Sequence, residues 1–129
     1  MTKFTSLLPD FKQALKRLEE VMAVPKTDIV RDSAIERFES CFDLSWKTLK
    51  AYLEEAHNVS CVSPKTCFRE AYNKNLIKEY DTFWLQLADL RNQTVHTYKM
   101  AVAEEVYSQL PKALEHFTQL VKAMEEAKI

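Results

Sequence analysis

The amino-acid sequence predicts an all-α protein, an up-and-down bundle of four to five helices, and three observations carry that prediction. The 129 residues include no glycine, which disfavours tight β-hairpins because their turns prefer Asn-Gly or Asp-Gly. The strong helix formers Ala, Leu, Glu and Lys are abundant. Apolar residues recur at steps of three and four along most of the chain, which is the spacing of an amphipathic helix.

The first helix is expected to begin at Pro9 or Asp10 and to end at Val24. Pro25 should stop it, because proline has no backbone N–H to donate and its ring clashes with the preceding turn. The apolar stripe of this helix, spaced at three and four residues, consists of Phe11, Leu15, Leu18 and Met22.

The second helix is the longest, and it is predicted from Asp28 to His57. Asn58 can end it, because asparagine tolerates the left-handed backbone conformation better than most residues. A broad apolar face suits a central helix, and here it is formed by Ile35, Phe38, Phe42, Trp46, Leu49 and Leu53. With Phe83 and Trp84 added, this is more apolar surface than five short elements need, which predicts a homodimer.

A third, shorter helix is predicted from Pro64 to about Asn73. Ser63 is a suitable N-cap, and proline is favoured at the first helical position because its missing N–H would be unpaired there anyway. Asn75 and the pair Leu76-Ile77 are expected to form a short connection to the next helix.

Two more helices complete the bundle. The fourth is expected from about Tyr80 to the region of Thr94, and the fifth from about Met100 to Ala127. Pro111 falls inside the fifth helix and should kink or split it, since one backbone hydrogen bond is lost there. The apolar stripe of the fifth helix comprises Val102, Val106, Leu110, Leu114, Phe117, Leu120 and Met124.

Composition limits the classes of function. A net charge of −1, with 47% hydrophobic and 29% charged residues, is typical of a globular domain, taken here as one unit over residues 1–129. The lack of glycine excludes a P-loop, a dinucleotide-binding fingerprint and a nucleophile elbow, so no cofactor is expected. Neither a signal-peptide stretch nor a membrane-spanning run is present, which predicts a cytoplasmic protein.

The three cysteines lack metal-binding or redox spacing. Cys41, Cys61 and Cys67 are therefore expected to be reduced and mostly buried. A zinc site formed by His57, Cys61 and Cys67 would have only three donors at loose spacing, so no metal site is predicted.

Charged residues surround the predicted fourth helix. The stretch 61–78 is biased toward positive charge, which indicates either a solvated helix face or a surface for phosphates. Lys65, Arg69 and, further along, Lys99 are candidate RNA-phosphate contacts. Three carboxylates nearby lack the tight clustering that a magnesium site needs and are interpreted as solvated or capping groups: Glu79, Asp81 and Asp89.

The chemistry-bearing segment is Arg91-Asn92-Gln93-Thr94-Val95-His96-Thr97-Tyr98. Arg91 offers a permanent cation whose fork matches phosphate oxygens, and His96 can move a proton near neutral pH. These are the parts needed for metal-free RNA cleavage, with the histidine as acid or base and the arginine stabilising the charge on phosphorus. Tyr98 adds a phenol that can accept a covalent group.

Geometry restricts that interpretation. Residues five apart on an ideal helix are separated by roughly 140° of rotation, so Arg91 and His96 would point apart. They can converge only where the helix breaks or where two subunits meet, and Thr94, Val95 and Thr97 favour a break. The alternative is that the arginine and histidine only cap a helix end and make surface contacts.

The segment resembles the signature of HEPN domains (higher eukaryotes and prokaryotes nucleotide-binding), in which Arg and a polar residue are followed after a short spacer by His. Tyr98, two places after His96, is similar to the subgroup encoded beside minimal nucleotidyltransferases, first called the nucleotidyltransferase substrate-binding protein family. Other blocks resemble that family in the same order, at residues 31–39, 44–50, 63–65 and 68–71 and at Trp84. The family's glycines after the second and third helices are replaced near Asn58 and Asn75.

The resemblance implies a helical bundle that pairs as a dimer, with its Arg-His motifs facing a shared cleft. Many such proteins are ribonuclease toxins, and the partner nucleotidyltransferase is the antitoxin that transfers AMP to the motif tyrosine. Carried over, Arg91 and His96 would be catalytic, Asn92 supporting and Tyr98 the AMP acceptor. An older interpretation of the family is a non-catalytic subunit that binds the substrate or nucleotide for the nucleotidyltransferase.

Overall fold

The computed structural model describes residues 1–77 and 82–127. Its elements follow the order α1 (Lys3–Met22), α2 (Asp28–His57), α3 (Pro64–Asn73), α4 (Phe83–Gln93), a 3₁₀ turn (Thr94–His96) and α5 (Met100–Glu126). The predicted all-α bundle is confirmed. No helix in the described part of the chain is both long enough and apolar enough to cross a membrane.

Helix α2 is the centre of the bundle, as its broad apolar face predicts. It packs most extensively against α1 and also contacts α3, α4 and α5. Aromatic side chains connect these layers, because Phe117 of α5 lies 6.2 Å from the ring of Phe11 and 6.2 Å from that of Phe38. Trp84 of α4 lies 4.9 Å from the ring of Phe68 in α3. The core is therefore continuous from one side of the bundle to the other.

Most of the aromatic side chains used to predict a homodimer are buried within one chain, and Trp46 is half-buried. Phe38, Phe42, Phe83 and Trp84 are all buried within one chain. The reason is that α2 has neighbours on several sides, so its wide stripe is covered by α1, α3 and α5. The homodimer stays a prediction, and this argument for it is wrong.

Helix α1 begins at Lys3, six or seven residues earlier than predicted, and Pro9 lies inside it. Thr2 and Thr5 form a reciprocal capping box, in which the Thr2 hydroxyl accepts from the Thr5 N–H and the Thr5 hydroxyl from the Thr2 N–H. Glu55 of α2 accepts a further N–H at this end, from Phe4 at 2.9 Å. These acceptors pair backbone N–H groups at the start of α1 that have no partner within the helix. The position of the prolines in the sequence did not reveal this start.

The other boundaries agree well with the sequence. Helix α2 has the predicted bounds, and Asn58 ends it with φ of 54°. Asn75, after α3, has φ of 61°, so two asparagines replace glycine in left-handed turns. Helix α5 runs continuously through Pro111, so of the two predicted outcomes the split is wrong and the kink stays a prediction. The predicted start of the fourth helix, at Tyr80, lies outside the described residues, and α4 begins at Phe83.

The prediction that all cysteines are reduced is also wrong in the structure. Cys61 and Cys67 form a disulfide that closes the loop leading into α3. They lie close because Ser63 caps α3 and turns the chain so that Cys67 in the helix faces Cys61 before it. Cys41 is unpaired and buried in the core, and burial raises the pKa of its thiol.

Candidate functional site

The Arg91–Tyr98 segment lies where α4 gives way to α5. The α-helix ends at Gln93, and a 3₁₀ turn over Thr94–His96 follows before α5 starts at Met100. The Lys99 N–H donates to the carbonyl of His96 at 3.0 Å, which tightens the turn. The predicted break between Arg91 and His96 is therefore confirmed.

The Arg91 guanidinium is directed at α2. Its Nε donates to Oδ1 of Asp43 at 3.1 Å, and its Nη2 donates to Oδ2 of the same carboxylate at 3.2 Å. Its Nη1 donates to Oε2 of Glu39 and to Oγ1 of Thr94, both at 2.8 Å. Arg91 is thus held by a bidentate carboxylate, a second carboxylate and a hydroxyl.

This network is half-buried, since 26% of the Arg91 side chain is exposed. The hydrogen bond with Asp43 is the main cause that raises the pKa of Arg91, and it outweighs burial, which would lower it. Glu39 adds to the same effect. The guanidinium is permanently charged, but two carboxylates lie against its one positive charge.

His96 and Tyr98 lie on the outside of the break. Tyr98 is 78% exposed, and its ring centroid is 6.3 Å from that of His96. The Lys99 ammonium lies 5.9 Å from the centroid of the Tyr98 ring. His96 is not among the hydrogen-bond partners that the described residues give Arg91, and the predicted catalytic pair stays a prediction. Asn92 is also exposed.

The predicted phosphate-binding residues differ in their surroundings. Lys65 forms an ion pair of 2.7 Å with Asp89 of α4, so both are engaged with one another. Arg69 and Lys99 are exposed. Glu79 and Asp81, which were interpreted as solvated or capping carboxylates, lie outside the described residues.

The described residues contain no group of three or more metal-ligating side chains. The disulfide between Cys61 and Cys67 leaves neither thiolate available to zinc, and His57 packs against the ring of Tyr52 at 5.7 Å. The metal-free chemistry considered for Arg91 and His96 stays a prediction.

A cavity of about 740 Å³ lies elsewhere in the bundle, toward the other end of α4 and the second half of α5. Trp84 and His116 form part of its lining, and no residue of the Arg91–Tyr98 segment does. The cavity is therefore not the candidate site in spite of its size. The groups that can transfer protons and bind phosphate lie in the Arg91–Tyr98 segment, apart from the cavity.

Two residues of the site, Glu39 and Asp43, were not predicted from the sequence, and Thr94 was predicted only as part of the break and not as a partner of Arg91. Glu39 and Asp43 are four residues apart and so share one face of α2, next to the apolar stripe. The sequence did contain one signal for them, a pair of acidic residues beside the apolar stripe of a helix. Charged side chains at the edge of a core are usually paired with an opposite charge. Their contact with a residue about 50 positions away depends on helix packing and could not be read locally.

Known proteins resemble this chain over most of its length. The profile of a family described as "Nucleotidyltransferase substrate binding protein like" matches residues 7–126. A Haemophilus influenzae protein named "Probable ribonuclease HepT" is 33% identical over 90 residues, which cover 64% of this chain and 61% of that protein. The chain therefore matches less than two thirds of the length of this Haemophilus influenzae relative.

Solved structures share the fold. A crystal structure of a protein from Thermus thermophilus has a TM-score of 0.81 and 33% identity, covering 87% of this chain and 96% of the other. A second structure, from Haemophilus influenzae, is described as revealing the fold of a substrate binding domain of a nucleotidyltransferase. It has a TM-score of 0.70 at 24% identity, with 95% of this chain and 97% of the other covered, and it shows the fold alone.

Proposed function

Because the chain belongs to the nucleotidyltransferase substrate binding protein like family, we propose that it acts with a cognate minimal nucleotidyltransferase. In this proposal the protein is a metal-independent ribonuclease toxin, and the partner silences it by transferring AMP to Tyr98. The relative named a probable ribonuclease supports the first part of the proposal.

The observation that carries the proposal is the exposed pairing of His96 and Tyr98 at the break that follows Arg91. An exposed imidazole can take the proton of a ribose 2′-hydroxyl or give one to the departing 5′-oxygen. The 2′-oxygen then attacks phosphorus, the P–O5′ bond breaks, and the proton taken from the 2′-oxygen passes through the imidazole to the 5′-oxygen, so that a cyclic phosphate and a 5′-hydroxyl result. Arg91 would stabilise the negative charge that builds up on the phosphorane oxygens.

The exposure of Tyr98 supports its role as the AMP acceptor. Its phenol oxygen would attack the α-phosphorus of ATP and displace pyrophosphate, while the phenol proton passes to a base of the transferase. Most N–H groups of Arg91 face α2, so the nearby ammonium of Lys99 is the cation placed to pair with the new phosphate. The adduct would cover His96 and repel an incoming RNA backbone.

Induced expression tests the ribonuclease. We expect the wild-type chain to arrest growth and degrade RNA, and His96→Ala to do neither at equal protein level. His57→Ala, which changes a histidine outside the segment, is the matched control and should behave as wild type. Intact RNA in cells that accumulate folded wild-type protein would reject the ribonuclease.

Mass spectrometry tests the modification. Incubation with the cognate nucleotidyltransferase and ATP should add one AMP to the wild-type chain and none to Tyr98→Phe. Tyr72→Phe, at another exposed tyrosine, should still be modified. An adduct that maps elsewhere, or one that leaves RNA cleavage unchanged, would contradict the proposed switch.

One observation favours the alternative of a non-catalytic subunit that completes the nucleotidyltransferase. Arg91 is already paired with two carboxylates, which a purely structural arginine would also be. Such a subunit would raise the activity of the nucleotidyltransferase on a third substrate without degrading RNA. RNA integrity in the expression experiment therefore separates the two functions.

A further inference from the structure

The hydrogen bonds of Arg91 leave very little of the guanidinium available. A guanidinium carries five N–H groups, one on Nε and two on each terminal nitrogen. Asp43 accepts from Nε and from Nη2, while Glu39 and Thr94 both accept from Nη1. Counted over the described residues, one N–H on Nη2 remains for any other acceptor.

The same network includes the turn that carries His96. Thr94 is buried, and its hydroxyl lies 2.9 Å from Oε2 of Glu39 while it accepts from Nη1 of Arg91. Glu39 therefore contacts both the end of α4 and the first residue of the 3₁₀ turn. Any movement of this carboxylate would change the position of Arg91 and of the turn together.

The charges of the network also limit what Arg91 can do. Glu39 and Asp43 carry two negative charges against the single positive charge of Arg91, so the trio has a net charge of −1. A phosphate would gain little attraction from this site as a whole. Arg91 would then act on a phosphate chiefly through its remaining N–H, which is a charge-assisted donor with a fixed direction.

We propose that Glu39 and Asp43 are positioning residues that orient Arg91 so that it presents one Nη2 hydrogen to a phosphate oxygen. They act through Arg91 and touch no substrate themselves. This inference rests on the proposed function, because RNA is the phosphate ester that the proposed ribonuclease binds. If the ion pairs between α2 and α4 were merely structural, they would contribute to the stability of the fold and not to catalysis.

The test is a set of substitutions assayed on the full chain with a fluorescent RNA oligonucleotide. Asp43→Asn should lower kcat by about tenfold to a hundredfold and change KM less, since displacement of a catalytic group by about 1 Å costs up to that much. Asp43→Glu should recover part of the loss. Glu36→Gln removes an exposed carboxylate about two turns before Asp43 on α2 and should behave as wild type.

A double substitution shows whether Asp43 works through Arg91. In an Arg91→Ala background, Asp43→Asn should cause no further loss of kcat, because the group that it orients is gone. An equal loss in both backgrounds, or an unchanged kcat in the single variant, would overturn the inference. Should Asp43→Asn not fold, Glu39→Gln is assayed in the same way, because Glu39 accepts one hydrogen bond from Arg91 whereas Asp43 accepts two.

A measurement without RNA separates this inference from the proposed function. Inorganic phosphate is added to the protein, with chloride as the control anion, while the ¹⁵N NMR signals of the arginine side chains are followed. The Arg91 signals are assigned as those that disappear in Arg91→Lys. Phosphate should shift the Nη signal of Arg91 and leave Nε in place in the wild type, and shift both in Asp43→Asn. This result in a protein that cleaves no RNA would reject the ribonuclease and keep the positioning role. An Arg91 signal that phosphate does not move would reject the positioning role itself.

Discussion

Asn58 and Asn75 carry the left-handed turns of a chain that has no glycine. The Asn58 N–H donates to the carbonyl of Glu54, so this residue closes α2 while it turns the chain away from the helix. A Cβ makes such a conformation costly, and asparagine bears the cost better than alanine because its short side chain can hydrogen-bond locally.

Substitutions at Asn58 should show how much a Cβ costs in this left-handed conformation. Asn58→Ala should lower the free energy of unfolding by about 1 kcal/mol, while Asn58→Gly should leave it unchanged or raise it slightly. Asn73→Gly, in α3, should instead destabilise the protein, because a helical residue gains nothing from glycine. Urea unfolding of the three variants measures this, and equal stability of the Ala and Gly variants at position 58 would contradict it.

At the scale of elements, Glu104 connects α5 to the start of α2. Its carboxylate accepts from Arg31 at 3.0 Å and also pairs with Lys26. These hydrogen bonds, that of Lys26 first, lower the pKa of Glu104 below its ordinary value of 4.5. A carboxyl whose pKa is lowered on folding stabilises the protein above its unfolded pKa, and that contribution is lost as the pH falls through the folded pKa.

The resulting prediction concerns acid stability. Wild type should be more stable than Glu104→Gln above pH 4.5, and the difference should shrink steadily as the pH falls below that value. Glu105→Gln, at the exposed neighbouring position, is the control and should show a smaller effect. Urea unfolding at a series of pH values measures it, and a difference that grows in acid would reverse the sign and refute the argument.

Pro111 makes a second element-scale prediction, because α5 is continuous although the proline cannot donate to the carbonyl of Tyr107. Pro111 is exposed, so Pro111→Ala adds a hydrogen bond without disturbing the core and should stabilise the protein by about 1 to 3 kcal/mol. Pro64→Ala, at the first position of α3, should give no such gain. Thermal unfolding compares the two, and equal shifts would contradict the argument.

The elements show what the sequence can predict and why. The bounds of α2 could be predicted because apolar residues recur at helical spacing along its whole length and because Asn58, which suits a left-handed turn, follows it. Both features can be read from neighbouring residues in the sequence. The start of α1 does not follow, because it depends on the Thr2–Thr5 capping box and on Glu55 from another helix. The site divides in the same way, since Arg91 and His96 are visible in the motif while the carboxylates that hold Arg91 come from α2 by packing.

At the scale of the whole molecule, the different surroundings of Arg91 and His96 raise the question of a second subunit. Arg91 is directed at the carboxylates of α2, while His96 is exposed on the surface. Three large apolar side chains around the histidine are also exposed: Val95 at 66%, Tyr98 at 78% and Met100 at 64%. Such a patch beside an incomplete site is consistent with a homodimer in which two copies face each other there.

The last prediction follows from that arrangement. Arg91→Ala and His96→Ala should each keep only a small residual activity as homodimers, but a mixture exchanged by mild denaturation should regain activity, because the arginine of one subunit meets the histidine of the other. Half of the dimers in a random equal mixture are mixed, and each has one intact site of two, so about a quarter of wild-type activity is expected. A mixture of Arg91→Ala with Arg91→Lys carries no intact site and is the control. Light scattering should give a dimer for every sample. A mixture of the two single variants that stays at their residual activity while dimers exchange would mean that each subunit supplies both residues of its own site.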